Sequence, residues 1–97
     1  MKEVRFRWNP RKESDNRRKH GVSFDEAKSV FLDANALLIH DPDHSVDEDR
    51  FILLGLSYKL RLLVVCHAYR DNDLEIRIIS ARKANSRERN QYSQYSR

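Results

Sequence analysis

RLLVVCHAYRDNDLEIRIISARKA, Arg61 to Ala84, is the stretch that decides the fold. Leu62, Val64, Cys66 and Ala68 alternate with Leu63, Val65, His67 and Tyr69, the period of a β-strand. Both sets are apolar in the middle, so this strand is expected to be covered on both faces. Asp71-Asn72-Asp73 is a turn cluster, and Leu74–Ala81 returns as a second strand. One strand upstream, Arg50–Ser57 joins the first through a turn at Tyr58-Lys59. Two short turns linking three strands predict an antiparallel meander. Arg77 lies within the last strand on the Glu75/Ile79 face, and Arg82 and Lys83 stand at its exit. That puts cation density where a phosphate can sit.

Working outward, Val4, Phe6 and Trp8 alternate with Arg5, Arg7 and Asn9, which predicts an edge strand with one charged face. Asn9-Pro10 opens a helix over about 10–20, with Asn as cap and Pro in the first turn. Arg11–His20 contains no apolar side chain, so ordinary core packing cannot hold this helix. Its ends or its polar face must do so, and Gly21 terminates it. Ser23-x-x-Glu26 is a capping box, with Val22 as its staple. Phe24, Ala27, Val30 and Phe31 then share one helical face, closed by Asp33. Ala36–His40 reads as a short strand, Asp41–Asp49 as an acidic loop, and Lys83–Tyr95 as a polar helix carrying Tyr92 and Tyr95. Two helices between a first strand and a four-strand run, with a helix at the end, predict one α+β domain over residues 1–97.

The 97 residues support one modest core, with 39% hydrophobic and 35% charged side chains. Net charge is +4, and its distribution says more than its total. Residues 1–20 hold eight Lys or Arg against three acids, and residues 82–97 hold five against one. Residues 41–50 hold five acids and one Arg. Basic ends around an acidic middle suit an RNA partner. The single Cys66 excludes a disulfide framework and reads as a small buried filler. No apolar run reaches membrane-spanning length, so no membrane partner and a cytoplasmic setting are expected. His40 and His44, with Asp41 and Asp43, match no closed zinc set, and neither a metal nor another cofactor is expected.

Phe6-x-Trp8-Asn9-Pro10, Lys19-His20-Gly21-Val22-Ser23-Phe24-x-Glu26-Ala27 and Val30-Phe31-x-Asp33 resemble the opening of the BrnT toxin family. Arg61-Leu62-Leu63-Val64, the run Arg77–Ala84, Glu88 and Tyr92 resemble its close. The resemblance spans about residues 6–92. It implies a RelE-like fold and a ribonuclease toxin of a type II toxin–antitoxin system that inhibits translation. It also implies a BrnA-like antitoxin carrying a DNA-binding module, with DNA contacted only through the complex.

Metal-independent RNA cleavage uses the 2′-hydroxyl as nucleophile, so the protein moves two protons and stabilises a charged phosphorane. His20 at a helix end is the leading proton carrier, its alternative being a helix cap; His67 is a second candidate. In RelE-like toxins arginines on neighbouring strands line the cleft, so the resemblance implies Arg61 and Arg77 as the phosphate clamp, a task that suits a planar and permanently charged side chain. The alternative for Arg77 is an ion pair with Glu75 or another acid. Lys19, Arg82 and Lys83 are expected phosphate contacts, against a solvated turn. Glu88 and Tyr92 share a helical face and approach the cleft in the related fold, or else Glu88 pairs on the surface. Trp8 stacks on a base or, as a lone strand Trp more often does, fills the core. The competing functional reading is a non-catalytic RNA-binding or antitoxin-docking domain.

Overall fold

The computed structural model describes residues 3–44 and 48–95, which leaves the first two residues, 45–47 of the acidic loop and the last two residues outside the described part. The elements run β1 (Arg5–Arg7), α1 (Pro10–His20), α2 (Phe24–Ser29), β2 (Leu37–His40), β3 (Phe51–Leu56), β4 (Leu62–Arg70), β5 (Glu75–Lys83) and α3 (Ser86–Tyr95). Single 3-10 turns follow α2 at Val30–Leu32 and β2 at Pro42–His44. The five strands form one sheet in the order β1-β5-β4-β3-β2. All neighbours are antiparallel except β1, which pairs parallel with β5 at the edge. The predicted α+β arrangement, with two helices early and one late, is the one observed.

Each turn has a local cause. Asp71, Asn72 and Asp73 all take left-handed backbone, with φ of 52°, 53° and 67°, which short Asx side chains tolerate. The β3–β4 link differs from the two-residue turn expected, because Leu60 is also left-handed at φ 60°. There the Ser57 amide bonds the Arg61 carbonyl and the Leu60 amide bonds the Ser57 carbonyl. Between β4 and β5 the register slips by one residue. Cys66 pairs with Ser80 but His67 pairs with Ile78, which leaves Ile79 as a bulge.

The sheet has two unequal covers. On the first face, Val22, Phe24, Ala27 and Val30 pack on Leu53, Leu63, Val65, Ile78 and Ala81. Gly55 lets this layer approach closely, since a Cβ there would lie 2.8 Å from the Cβ of Ala36. On the second face, Leu54, Leu62, Val64 and Ala84 form a smaller cluster with Tyr92 of α3. α3 itself has no fully buried residue.

The all-polar α1 is docked by an amide rather than by apolar packing. Asn16 Nδ2 donates to the carbonyls of Ala81 (2.8 Å) and Val22 (2.9 Å), and its Oδ1 accepts from the Ala81 amide (3.1 Å). β1 stops pairing at Arg77, so Ala81 lies on an edge that no strand covers. The side chain of Asn16 substitutes there for the missing strand residue and satisfies backbone groups whose burial would otherwise be costly. Glu13 adds a second tie by accepting from the Phe24 amide at 3.3 Å.

Candidate active site

β4 is regular, so Arg61, Leu63, Val65 and His67 point to the first face while Val64, Cys66, Ala68 and Arg70 point to the second. Arg61 accordingly meets α2. Its guanidinium bonds both oxygens of Glu26 and donates to the Gly21 carbonyl at 3.1 Å. Glu26 is fully buried and also accepts from the Ser57 hydroxyl at 2.7 Å. The Arg61 hydrogen bond holds the Glu26 carboxyl below the usual carboxylate range, against the opposing effect of burial.

Arg77 pairs with Ala68 and Arg82 with Val64, which places both arginines on the second face. Arg61 and Arg77 therefore do not form one clamp; a sheet separates them. The reason is β4 itself, whose odd-numbered positions all serve the α2 side. Arg77 also does not pair with Glu75, which is held by Arg7 at 3.4 Å and Arg5 at 3.8 Å. It bonds Glu48 instead, from the connection before β3.

A groove of about 230 Å³ lies on this second face, beyond the part that α3 covers. Asp41, Arg50, Cys66, Ile79, Ser80 and Arg82 are among its walls. Arg77 stands close enough for its charge, with that of Arg50, to act on the Cys66 thiol. Cys66 is thus a partly buried wall residue of the groove rather than fully buried filler. Its pKa is raised by burial all the same, so the thiol is not activated.

α3 closes the lower end of the groove. Glu88 takes Arg82 in a two-point pair, with both bonds at 2.8 Å, and exchanges hydrogen bonds with Asn85 as a reciprocal helix cap. The Arg82 bonds hold the Glu88 carboxyl ionised, outweighing its burial. The Tyr92 hydroxyl donates to Asp33 Oδ2 at 2.7 Å, and the same oxygen accepts from the Leu56 amide at 2.8 Å. Burial raises the Asp33 pKa, yet the Leu56 and Tyr92 bonds bring it below the ordinary value.

Of the residues singled out from sequence, Arg77, Arg82, Glu88 and Tyr92 come together on the second face. Lys19 and His20 are exposed at the end of α1, which packs on the first face, and Lys83 pairs with Leu63 and points to that side too. Trp8 packs edge-on against Phe24 at 5.9 Å and belongs to the first core, as the commoner reading had it. His67 is fully buried among Phe31, Phe51 and Tyr69, and burial lowers its pKa, so it is a neutral core histidine. Sequence reasoning missed Glu48, Arg50 and Arg70. The acid cluster at 41–50 was the signal for Glu48, but nothing local says which acid folds back.

The fold and the groove together define a small α+β domain with several arginines along one face of its sheet, each bonded to a glutamate of the chain. A family model described as the ribonuclease toxin BrnT of type II toxin–antitoxin systems matches residues 8–88, and the chain belongs to that family. Among solved structures, the crystal structure of the Brucella abortus ribonuclease toxin BrnT has the same fold, with a TM-score of 0.63 and 18% identity. The match covers 89% of this chain and 100% of that one. No curated protein sequence matches this chain.

Proposed function

We propose that this chain is a metal-independent endoribonuclease that cuts RNA, mRNA above all, in the second-face groove and thereby inhibits translation. The observation that carries the reading is the placement of Arg77 and Arg82 on one face along β5, about 15 Å apart by strand rise. A guanidinium group beside a developing phosphorane is the largest catalytic contribution that such a site offers, and a second one along the strand can hold another phosphate of the same RNA. A 2′-hydroxyl nucleophile needs proton acceptors and donors but no metal. His20 lies outside this groove, so its contribution is to RNA contact rather than to proton transfer. Lys19 and Lys83 belong with it as phosphate contacts on the other side of the strand exit.

The neutralising partner in this reading is a BrnA-like antitoxin with a DNA-binding module, through which the complex reaches DNA. Exposed apolar side chains such as Leu32 (87%) are available to such a partner. No helix among the described residues is long and apolar enough to cross a membrane, and the cytoplasm, where mRNA is translated, is the proposed setting.

The test is incubation of purified protein with labelled RNA in EDTA, beside the same RNA carrying 2′-deoxy substitutions. Cutting of the first alone is the expected result. Cutting that stops in EDTA, or that proceeds on the deoxy substrate, overturns the 2′-hydroxyl mechanism. Salt-dependent binding without cutting, in the presence of translating ribosomes as well, would instead favour a non-catalytic RNA-binding domain.

A further inference from the structure

Five acids crowd residues 41–50, and one of them, Glu48, reaches back onto the sheet. Three arginines from separate places converge on its carboxylate. Arg77 in β5 bonds Oε1, and Arg70 at the end of β4 bonds Oε2 at 2.8 Å. Arg50, just before β3, brings its Nε to 3.8 Å from Oε1. Arg77 and Arg70 share this single carboxylate, one on each oxygen. The Arg77 Nε–H is buried and finds no hydrogen-bond partner among the described residues. Buried donors are rarely left unused, so this cluster offers more donors than its carboxylate takes up.

The acid is also poorly fixed compared with Glu26. The Glu26 side chain is 1% exposed, sits on a helix and has both oxygens committed to Arg61 and Ser57. The Glu48 side chain is 23% exposed and stands outside the helices and strands. Arg70 is 54% exposed, so an incoming anion can reach it directly. A phosphodiester presents two non-bridging oxygens with the same two-point geometry that a carboxylate offers to arginine.

We propose that Arg50, Arg70 and Arg77 form a phosphate subsite at the upper rim of the groove, and that Glu48 fills it as an internal stand-in until RNA displaces it. The proposal rests on the reading of the groove as an RNA site and names a second phosphate position beside that of Arg82. Binding is then an exchange of one anion for another. A tethered carboxylate competes at the high effective concentration of an intramolecular ligand, so single phosphate ions are held off. An RNA strand that engages Arg82 at the same time brings a phosphate farther along its backbone in the same intramolecular manner and wins. Glu48 thus selects for a polyanion over small anions.

The experiment uses the full chain as wild type, Glu48→Gln and Arg70→Ala. The probes are inorganic phosphate, read by thermal shift, and a non-cleavable 2′-O-methyl RNA oligonucleotide, read by fluorescence anisotropy across a salt series. Glu48→Gln is expected to bind the oligonucleotide about tenfold more tightly, with a salt slope steeper by about one, since one more phosphate contact is free to form. It should also gain thermal stability from phosphate where the wild type does not. Arg70→Ala, whose side chain is largely in solvent, should bind the oligonucleotide about fivefold more weakly than wild type. Equal or weaker binding by Glu48→Gln, with no response to phosphate, overturns the proposal and makes Glu48 a brace for the arginines. Should Glu48→Gln fail to fold, unchanged binding by Arg70→Ala overturns it alone. If phosphate stabilises Glu48→Gln while no variant binds RNA, the subsite stands and the RNA reading of the groove falls.

Discussion

Arg61 and Arg77 each bond a glutamate, one on each face of the sheet, in two different settings. Glu26 is sealed between α2 and β4, with a serine hydroxyl sharing its oxygen. Glu48 sits at the rim of a groove with a second arginine in solvent beside it. A sealed ion pair ties elements together, because removing one partner strands a charge that water cannot reach. A pair whose acid is partly exposed is more open to exchange and contributes less to stability. The same two residue types therefore serve architecture on one face and ligand binding on the other, and substitutions should separate the two.

The largest effect is expected at Arg61. Arg61→Ala should destabilise the fold by about 3–5 kcal/mol, the usual cost of orphaning a buried carboxylate. Thermal unfolding checks it, and replacing both Arg61 and Glu26 with leucine should recover most of the loss. A catalytic defect in Arg61→Ala at unchanged melting temperature would erase the distinction between the faces.

Next comes Arg77→Ala, expected to slow cleavage about 100-fold, as loss of one oxyanion-type donor does. Its melting temperature should stay close to wild type, and His20→Ala should slow cleavage less than tenfold. Equal losses at His20 and Arg77 would move the chemistry away from the groove.

Acid sharpens the contrast. The folded-state pKa of Glu26 lies below its ordinary value of 4.5, so its ionised form is favoured by folding. That stabilisation is complete above the unfolded pKa and is lost as pH falls through the folded one. Burial raises the Glu48 pKa, and the Arg77 and Arg70 interactions outweigh it, so its sign is the same. Being more exposed, it should contribute less. Denaturant titrations at pH 3 and pH 7 should show Glu26→Gln removing more of the pH dependence than Glu48→Gln does.

Asn16→Ala should cost about 2–3 kcal/mol, since it leaves the amide and carbonyl of Ala81 without their partner. Urea unfolding measures this, and a neutral result would mean that α1 is docked by something else. The smallest effect belongs to Tyr92→Phe, about 1 kcal/mol, because Asp33 keeps its backbone donors. Faster hydrogen exchange confined to α3 is the expected readout.

Much of this fold was legible because its signals are local. The alternation in 62–69, the Asx run at 71–73, the N-cap at Ser23 and the glycine at 21 each act within a few residues and were read correctly, whereas the expected capping box stays open because Arg61 and Ser57 take the Glu26 carboxylate. The docking of α1 was not legible, because one asparagine reaches Ala81, 65 positions away, and sequence pattern cannot show which polar residue turns inward. The site was half legible. Arg77, Arg82, Glu88 and Tyr92 lie on one face, but Arg61, the expected partner of Arg77 in the clamp, faces the other way because strand alternation commits it to α2. Glu48 and Arg70 escaped notice because their meeting is a tertiary event between a loop and a strand end.

The bulge at Ile79 has a consequence of arithmetic. Arg77 and Arg82 are an odd number of positions apart, and in an unbroken strand an odd separation sends two side chains to opposite sides. The extra residue restores their parity. Pairing Ile79 into a regular ladder, with no residue left over, would remove no charge and no atom from either arginine, yet it would turn one of them through the sheet. A chain that loses Ile79 would keep the two arginines on one face with no bulge at all, so the bulge is the cost of spacing them five residues apart instead of four.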